Sequence, residues 1–146
     1  MALTSFCCFT IAAALFGGRF ASGTWYASLD KPSWNPPNWL FGPVWTFLYL
    51  AMAVAAWRAW RSPALPRGAM LLFTVQLVLN ALWSWIFFGM QLPGLAFVEI
   101  CVLLLGIAAT AWLFGKADRL AGILFLPYLA WVGFAAALNF ALWRLN

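Results

Sequence analysis

Histidine is absent from this chain, and acidic residues number three among 146. The first absence removes the commonest metal ligand, the usual haem axial ligand and the usual general base. The second leaves little for hydrolytic acid–base chemistry: Asp30 and Asp118 each sit beside a cation, Lys31 and Arg119, and read as surface pairs, so only Glu99 is unusual. The three cysteines, Cys7, Cys8 and Cys101, lie inside apolar runs without metal-ligand spacing, and read as small hydrophobes. No metal site is expected. Charge of either sign is scarce. Charged residues make up 8% of the chain against 66% hydrophobic ones, where a soluble domain carries about 25% charged. So few charges cannot cover a water-facing surface. The chain is expected to be one integral membrane domain, 1–146.

What is present is organised as five apolar runs, roughly 2–18, 43–60, 69–89, 95–114 and 121–143. A helix needs about 20 residues to cross the ~30 Å hydrocarbon core. The runs are continuous and rich in Ala and Leu, with no alternation of a β-barrel, so they predict an all-α bundle of five transmembrane helices. Pro63, Pro66 and Gly68, then Pro93 and Gly94, punctuate the chain between runs. The first run has the apolar core of a signal peptide, but no Lys or Arg precedes it, and it is read as a retained helix. The net charge of +5 is spread singly over helix ends, as interface anchors such as Trp57–Arg58 and Trp60–Arg61 rather than a nucleic-acid surface. Arg58, Arg61, Arg67, Lys116 and Arg119 against Arg19, Lys31 and Arg144 place the N-terminus and loops two and four inside.

The segment between the first two runs, about residues 19–42, is the long loop. It contains "KPSWNPPNW" at 31–39. Pro32, Pro36 and Pro37 fix their own φ and push their predecessors into extended conformations. A stiff segment bearing Trp25, Tyr26, Trp34 and Trp39 is expected to sink into the headgroup layer or cap the bundle as an aromatic lid. In the third run Gln76, Asn80, Trp83 and Phe87 share one helical face; inter-helix hydrogen bonding and a cavity wall are both open to it. Trp45, Tyr49, Met52 and Ala56 form a second stripe. Tyr128, Trp131, Ala135, Leu138 and Leu142 form a third, with Asn139 at its edge and a kink expected near residue 123 because of Pro127. Glu99 either lies near the headgroups and orients its helix, or lines a cavity or bonds a neighbouring helix. Ala13 with Gly17, and Gly133 with Ala137, are small residues at four-residue spacing, open to dimer contact or to packing within one bundle.

Three blocks, "WYASLDKPSWNPPNWLFGPVWTFLY" (25–49), "QLVLNALWSWIFFG" (76–89) and "PYLAWVGFAAALNFALW" (127–143), closely resemble the translocator protein family, also called tryptophan-rich sensory proteins or peripheral-type benzodiazepine receptors. The match covers essentially the whole chain in order and spacing, and the length resembles a bacterial member. The resemblance implies a five-helix transmembrane bundle, commonly dimeric, in a bacterial envelope membrane, inner or outer. It implies binding of protoporphyrin IX, haem, sterols, and isoquinoline carboxamide or benzodiazepine ligands between the helices under the first loop. Porphyrin or haem would be a ligand, and no cofactor is required. By motif position, Trp25 and Tyr26 match aromatics linked to porphyrin handling, and Trp34 and Asn35 match the mouth. Phe41, Gly42 and Val44 precede the pocket pair Trp45 and Trp131, with Tyr49 one turn beyond. Asn80, Trp83 and Phe87 match one wall; Ala135 and Leu138 match another, faced by Leu95 and Val98. The sterol motif of animal members departs here: in "LNFALWR" (138–144) Phe140 stands at the Tyr position, between Leu138 and Arg144. The resemblance thus favours a tetrapyrrole receptor or carrier. The alternative is light-dependent oxidative porphyrin breakdown, with Trp25, Tyr26, Trp45 and Trp131 as electron donors.

Overall fold

The computed structural model describes residues 3–18 and 24–146, without the side chains of residues 6, 9, 13, 14 and 16–18. Arg19 of the charge count and the Ala13–Gly17 pair thus lie outside what is described. Among the described residues seven α-helices follow in order: α1 (Leu3–Gly18), α2 (Thr24–Ser28), α3 (Asn38–Arg61), α4 (Ala69–Ser84), α5 (Pro93–Ala117), α6 (Arg119–Leu124) and α7 (Leu126–Leu145). Four continuous stretches are long and apolar enough to cross a membrane: Asn38–Arg61, Ala69–Gly89, Pro93–Ala117 and Arg119–Leu145. Only 28–39% of each is buried inside the bundle. Outward rows such as Leu71, Val98, Leu105 and Trp112 are well over half exposed. Apolar rows of that size are at home only in lipid. The shorter α1 packs against α3 and α4.

Helix boundaries follow from local chemistry. Pro37 holds an extended conformation and starts α3. Pro93 occupies the first turn of α5, where its missing N–H costs nothing. Residues 85–89 continue α4 as a single π turn, in which the Met90 N–H bonds the Trp85 carbonyl at 2.8 Å. Gln91, at φ 58, then turns the chain into α5. The expected kink falls at Phe125, a one-residue interruption between α6 and α7 two residues later than expected. Pro127 has no N–H to bond the Ile123 carbonyl, so the chain takes a tight turn, Phe125 N–H to Gly122 O at 3.1 Å, and restarts as α7.

Asp118 does not pair with Arg119. It accepts from Arg58 on α3 at 2.8 and 3.3 Å and caps α6 by accepting from the Ala121 N–H at 3.0 Å. The cap geometry points its carboxyl back across the bundle. The Arg58 guanidinium beside Asp118 holds its carboxyl below the usual carboxylate range. Nor do Asp30 and Lys31 pair. Lys31 Nζ donates to the carbonyls of Ala27 and Leu29, and the Asp30 backbone bonds Asn146. Gly122 and Gly115 bring α6 and α5 into near backbone contact. A Cβ at Gly133 would meet nothing within 4 Å, so the Gly133–Ala137 spacing is not a seam inside the bundle.

Candidate functional site

The described part of the first loop, from residue 24 on, meets the bundle through its rings. Trp25 sets its edge on Phe87 (centroids 5.6 Å), Tyr26 on Phe88 (5.6 Å), and Trp34 on Phe134 (5.8 Å). Its fold is held by the Asn35 N–H on the Pro32 carbonyl at 2.9 Å and by the Tyr26 hydroxyl, which donates to Asn35 Oδ1 at 3.1 Å. Lys31 lies 4.9 Å over the Tyr26 ring. Burial pushes the Tyr26 hydroxyl above its ordinary pKa, partly offset by the Asn35 hydrogen bond. A reciprocal amide pair completes the docking: the Asp30 N–H donates to Asn146 Oδ1, and Asn146 Nδ2 donates to the Asp30 carbonyl, both at 3.0 Å. Trp39 is 72% exposed, at the start of α3.

Beneath the loop, α3, α4 and α7 meet through one chain of polar groups. The Tyr49 hydroxyl donates to Asn80 Oδ1 at 2.7 Å. Asn80 Nδ2 donates to the Tyr128 hydroxyl at 3.1 Å, which donates to Gln76 Oε1 at 3.1 Å. Trp45 stacks on Tyr49 at 5.5 Å and sets its edge to Tyr128 at 6.3 Å. Nearer the loop, Trp83 stacks on Phe87 at 5.2 Å, and its Nε1 donates to Asn139 Oδ1 at 3.0 Å. Asn139 Nδ2 in turn donates to the Pro93 carbonyl at 2.7 Å, tying α7 to the start of α5. Phe41 meets Trp131 edge-on at 5.8 Å. Two hydrogen-bonded walls thus carry large flat faces.

Most of the expected residues converge here. Trp25, Tyr26, Asn35, Phe41, Val44, Trp45, Trp83, Trp131 and Ala135 are partly buried, and Tyr49, Asn80, Phe87 and Leu138 are buried. Gly42 is exposed, with open space around a would-be Cβ. Leu95 and Val98 do not face Ala135 and Leu138. They are 50% and 61% exposed, on the outward row of α5 that includes Val102 and Leu105. The helical period puts Ala96, Glu99, Ile100 and Leu103 inward instead. Glu99 is accordingly buried within the bundle. Asn139 is fully inside rather than at the stripe's edge. The Phe140 and Arg144 region of the sterol motif lies on the outer surface, where Phe140 packs with Phe97 and Trp143.

Phe88, Phe134 and Asn146 join the site without having been expected. Phe134 follows Trp131 by three residues, a signal that was there to read. Phe88 turns inward beside Phe87 at the π turn, where α-helical spacing no longer holds. Two hollows lie elsewhere. One of about 330 Å³ is lined by Trp57, Arg58, Arg61, Ser62 and Asp118 at the end opposite loop one. Another of about 510 Å³ lies along Thr4, Ser5, Cys8 and Ala12 of α1. Neither touches the expected ligand residues.

Apolar helices long enough to span, with most of their buried polar side chains hydrogen-bonded inside, define an integral multi-pass membrane protein. The chain belongs to the TspO/MBR family, whose model matches residues 6–144. It is 41% identical over 152 residues to "Protein CrtK" of Rhodobacter capsulatus, covering 100% of this chain and 95% of that protein. It is 42% identical to a "Tryptophan-rich sensory protein" of Cereibacter sphaeroides, over 92% of this chain and 85% of the relative. The human "Translocator protein" is 40% identical over 94% of this chain and 88% of its own length.

Proposed function

We propose that this protein is a membrane receptor or carrier that binds a tetrapyrrole, such as protoporphyrin IX, between its helices beneath loop one, in a sensory or transport role. The reading includes α1 as a fifth span, loop one as a lid, and a homodimer as the assembled form. Related flat apolar ligands, sterols and isoquinoline carboxamide or benzodiazepine-type drugs, fit the same chemistry. The observation that carries it is the aromatic cluster between loop and bundle: Trp25, Tyr26, Phe41, Trp45, Trp83, Phe87 and Trp131 pack on one another and on neighbouring rings, with Trp83 fixed by its bond to Asn139 and Trp45 stacked on Tyr49, itself bonded to Asn80. A macrocycle entering there exchanges ring–ring contacts for ring–ligand ones, so binding is dominated by stacking and apolar burial. Without histidine in the chain, iron is not the obvious source of affinity, and free protoporphyrin should bind about as well as haem. The names of the relatives, sensory and translocator, agree with a sensory or transport role.

The stacking of Trp45 on Tyr49 supports a second reading, light-dependent breakdown in which the illuminated porphyrin is the group oxidised and dioxygen the oxidant, with Trp25, Tyr26, Trp45 and Trp131 as candidate electron relays. Both readings are tested by titrating detergent-solubilised protein with protoporphyrin IX in the dark, following tryptophan fluorescence, and then illuminating the complex. The Trp45→Phe, Trp131→Phe double variant should bind several-fold more weakly. Non-saturable quenching, or equal affinity in both proteins, refutes the cavity. Bleaching to a defined product, slowed in Trp131→Phe, favours the enzyme.

A further inference from the structure

Among the described residues, buried polar side chains are paired with few exceptions. Tyr49, Asn80 and Tyr128 form one chain, Trp83 and Asn139 another, and Thr110 bonds the Gly106 carbonyl at 2.7 Å. The atoms left over are both carboxyl oxygens of Glu99 and the Nε2 of Gln76. Glu99 is 8% exposed. It shares the inward face of α5 with Ala96, which packs in the Phe87–Leu138 group near the loop, and with Ile100 and Leu103, which pack in the main core. Along α5, Glu99 therefore falls between a residue packed in the loop-one cluster and residues packed in the core that holds Tyr49 and Tyr128. At 1.5 Å per residue, Glu99 is roughly 9 Å below the start of α5.

A buried carboxyl with no partner is among the costliest side chains a membrane bundle can hold, and a leucine would fill the same space without that cost. A second unused group faces the same interior. Gln76 lies against Gly106, where a Cβ would come within 3.5 Å of its own Cβ. Gly106 is two helical turns beyond Glu99, about 10 Å along the bundle. The interior thus offers an unused acceptor near the loop and an unused donor deeper in. Unpaired buried groups of this kind mark a ligand or a bound water.

We propose that Glu99 is the polar contact of the ligand site: a flat apolar ligand presents an N–H or O–H donor to its carboxyl, with Gln76 Nε2 free to donate to an acceptor farther along the same molecule. The proposal rests on the ligand-binding reading above and assigns it a residue that stacking alone would not need. It also accounts for an acid held at a position where leucine would stabilise the bundle.

The test compares wild type, Glu99→Leu, Glu99→Gln and the Trp45→Phe, Trp131→Phe variant, in micelles, with protoporphyrin IX and its dimethyl ester as probes. Glu99→Leu should raise or preserve the thermal midpoint of the unliganded protein while weakening protoporphyrin binding about fivefold or more, the effect of one lost hydrogen bond. Persistence of the loss with the ester identifies a ring N–H as the donor; its disappearance identifies a propionic acid O–H. An apolar carbodiimide, which adds a carboxyl across one of its C=N bonds and reaches the membrane interior, supplies a readout on the wild-type chain. Mass spectrometry should find its adduct on Glu99, and saturating protoporphyrin should suppress it. Wild-type affinity in Glu99→Leu, with weakened binding in the tryptophan variant, overturns the Glu99 assignment and leaves the cavity standing. Water then satisfies the carboxyl. Unprotected Glu99 in the saturated complex overturns it as well, even if Glu99→Leu does not fold. No saturable binding to wild type removes both proposals together.

Discussion

Asn146→Ala should loosen loop one without loosening the bundle. The Asn146 side chain makes two bonds to the Asp30 backbone, each at 3.0 Å, joining positions 116 residues apart. Both partners are exposed, so water competes for the same groups. Each bond then contributes at the low end of the usual range, about 0.5 kcal/mol, and the pair about 1 kcal/mol. That shifts the loop's opening equilibrium about fivefold. The ring contacts of Trp25, Tyr26 and Trp34 remain, so the loop stays docked most of the time. Hydrogen–deuterium exchange in micelles reads this directly: amides of residues 25–36 should exchange about fivefold faster, while those of α5 are unchanged. Asp30→Ala is the control. The pairing uses only the main chain of Asp30, so its side chain can be removed without effect. Unchanged exchange in Asn146→Ala, or equal acceleration in Asp30→Ala, would refute the clamp.

Gly122→Ala should destabilise the bundle by about 1–3 kcal/mol, because the new methyl would stand 2.7 Å from the Gly115 Cα and 3.0 Å from the Ala111 carbonyl, atoms that cannot rotate away. Thermal unfolding in micelles checks it, with Gly94→Ala as a milder comparison, since there the methyl meets only the ring of Trp143. The Arg58–Asp118 pair predicts an acid limit. Asp118 is lowered by its bond to Arg58, so its contribution is complete above the unfolded carboxyl pKa of about 3.9 and is lost as pH falls through the lower folded value. Unfolding profiles of wild type and Asp118→Asn should therefore differ near neutrality and converge only once pH has fallen below the lowered folded value; a constant gap would show that the pair's ionisation is irrelevant.

Composition and hydropathy alone determined that this chain lives in a membrane as an α-helical bundle, because 8% charge cannot hydrate a surface and unbroken apolar runs leave a backbone in lipid no alternative to the helix. Helical spacing also identified the inward stripes of Tyr49, Met52 and Ala56 and of Gln76, Asn80 and Phe87, since a period of 3.6 is a property of the backbone. Where local rules compete with distant partners, the sequence was silent or misleading. Asp118 stands next to Arg119, yet its capping geometry turns it toward Arg58, a choice made by packing between α3 and the start of α6. Leu95 and Val98 are as apolar as the residues that line the interior, and apolarity cannot distinguish lipid from core; only the rotation of α5 about its axis did so, turning them out and Glu99 in. The π turn at 85–89 carries no compositional mark, but it brings Phe87 and Phe88 together under the loop. Asn146 lies far from Asp30 in the chain, and the fold brings the two into contact. Partners distant in sequence are chosen by the arrangement of helices, so the walls could be read one at a time while their meeting point could not.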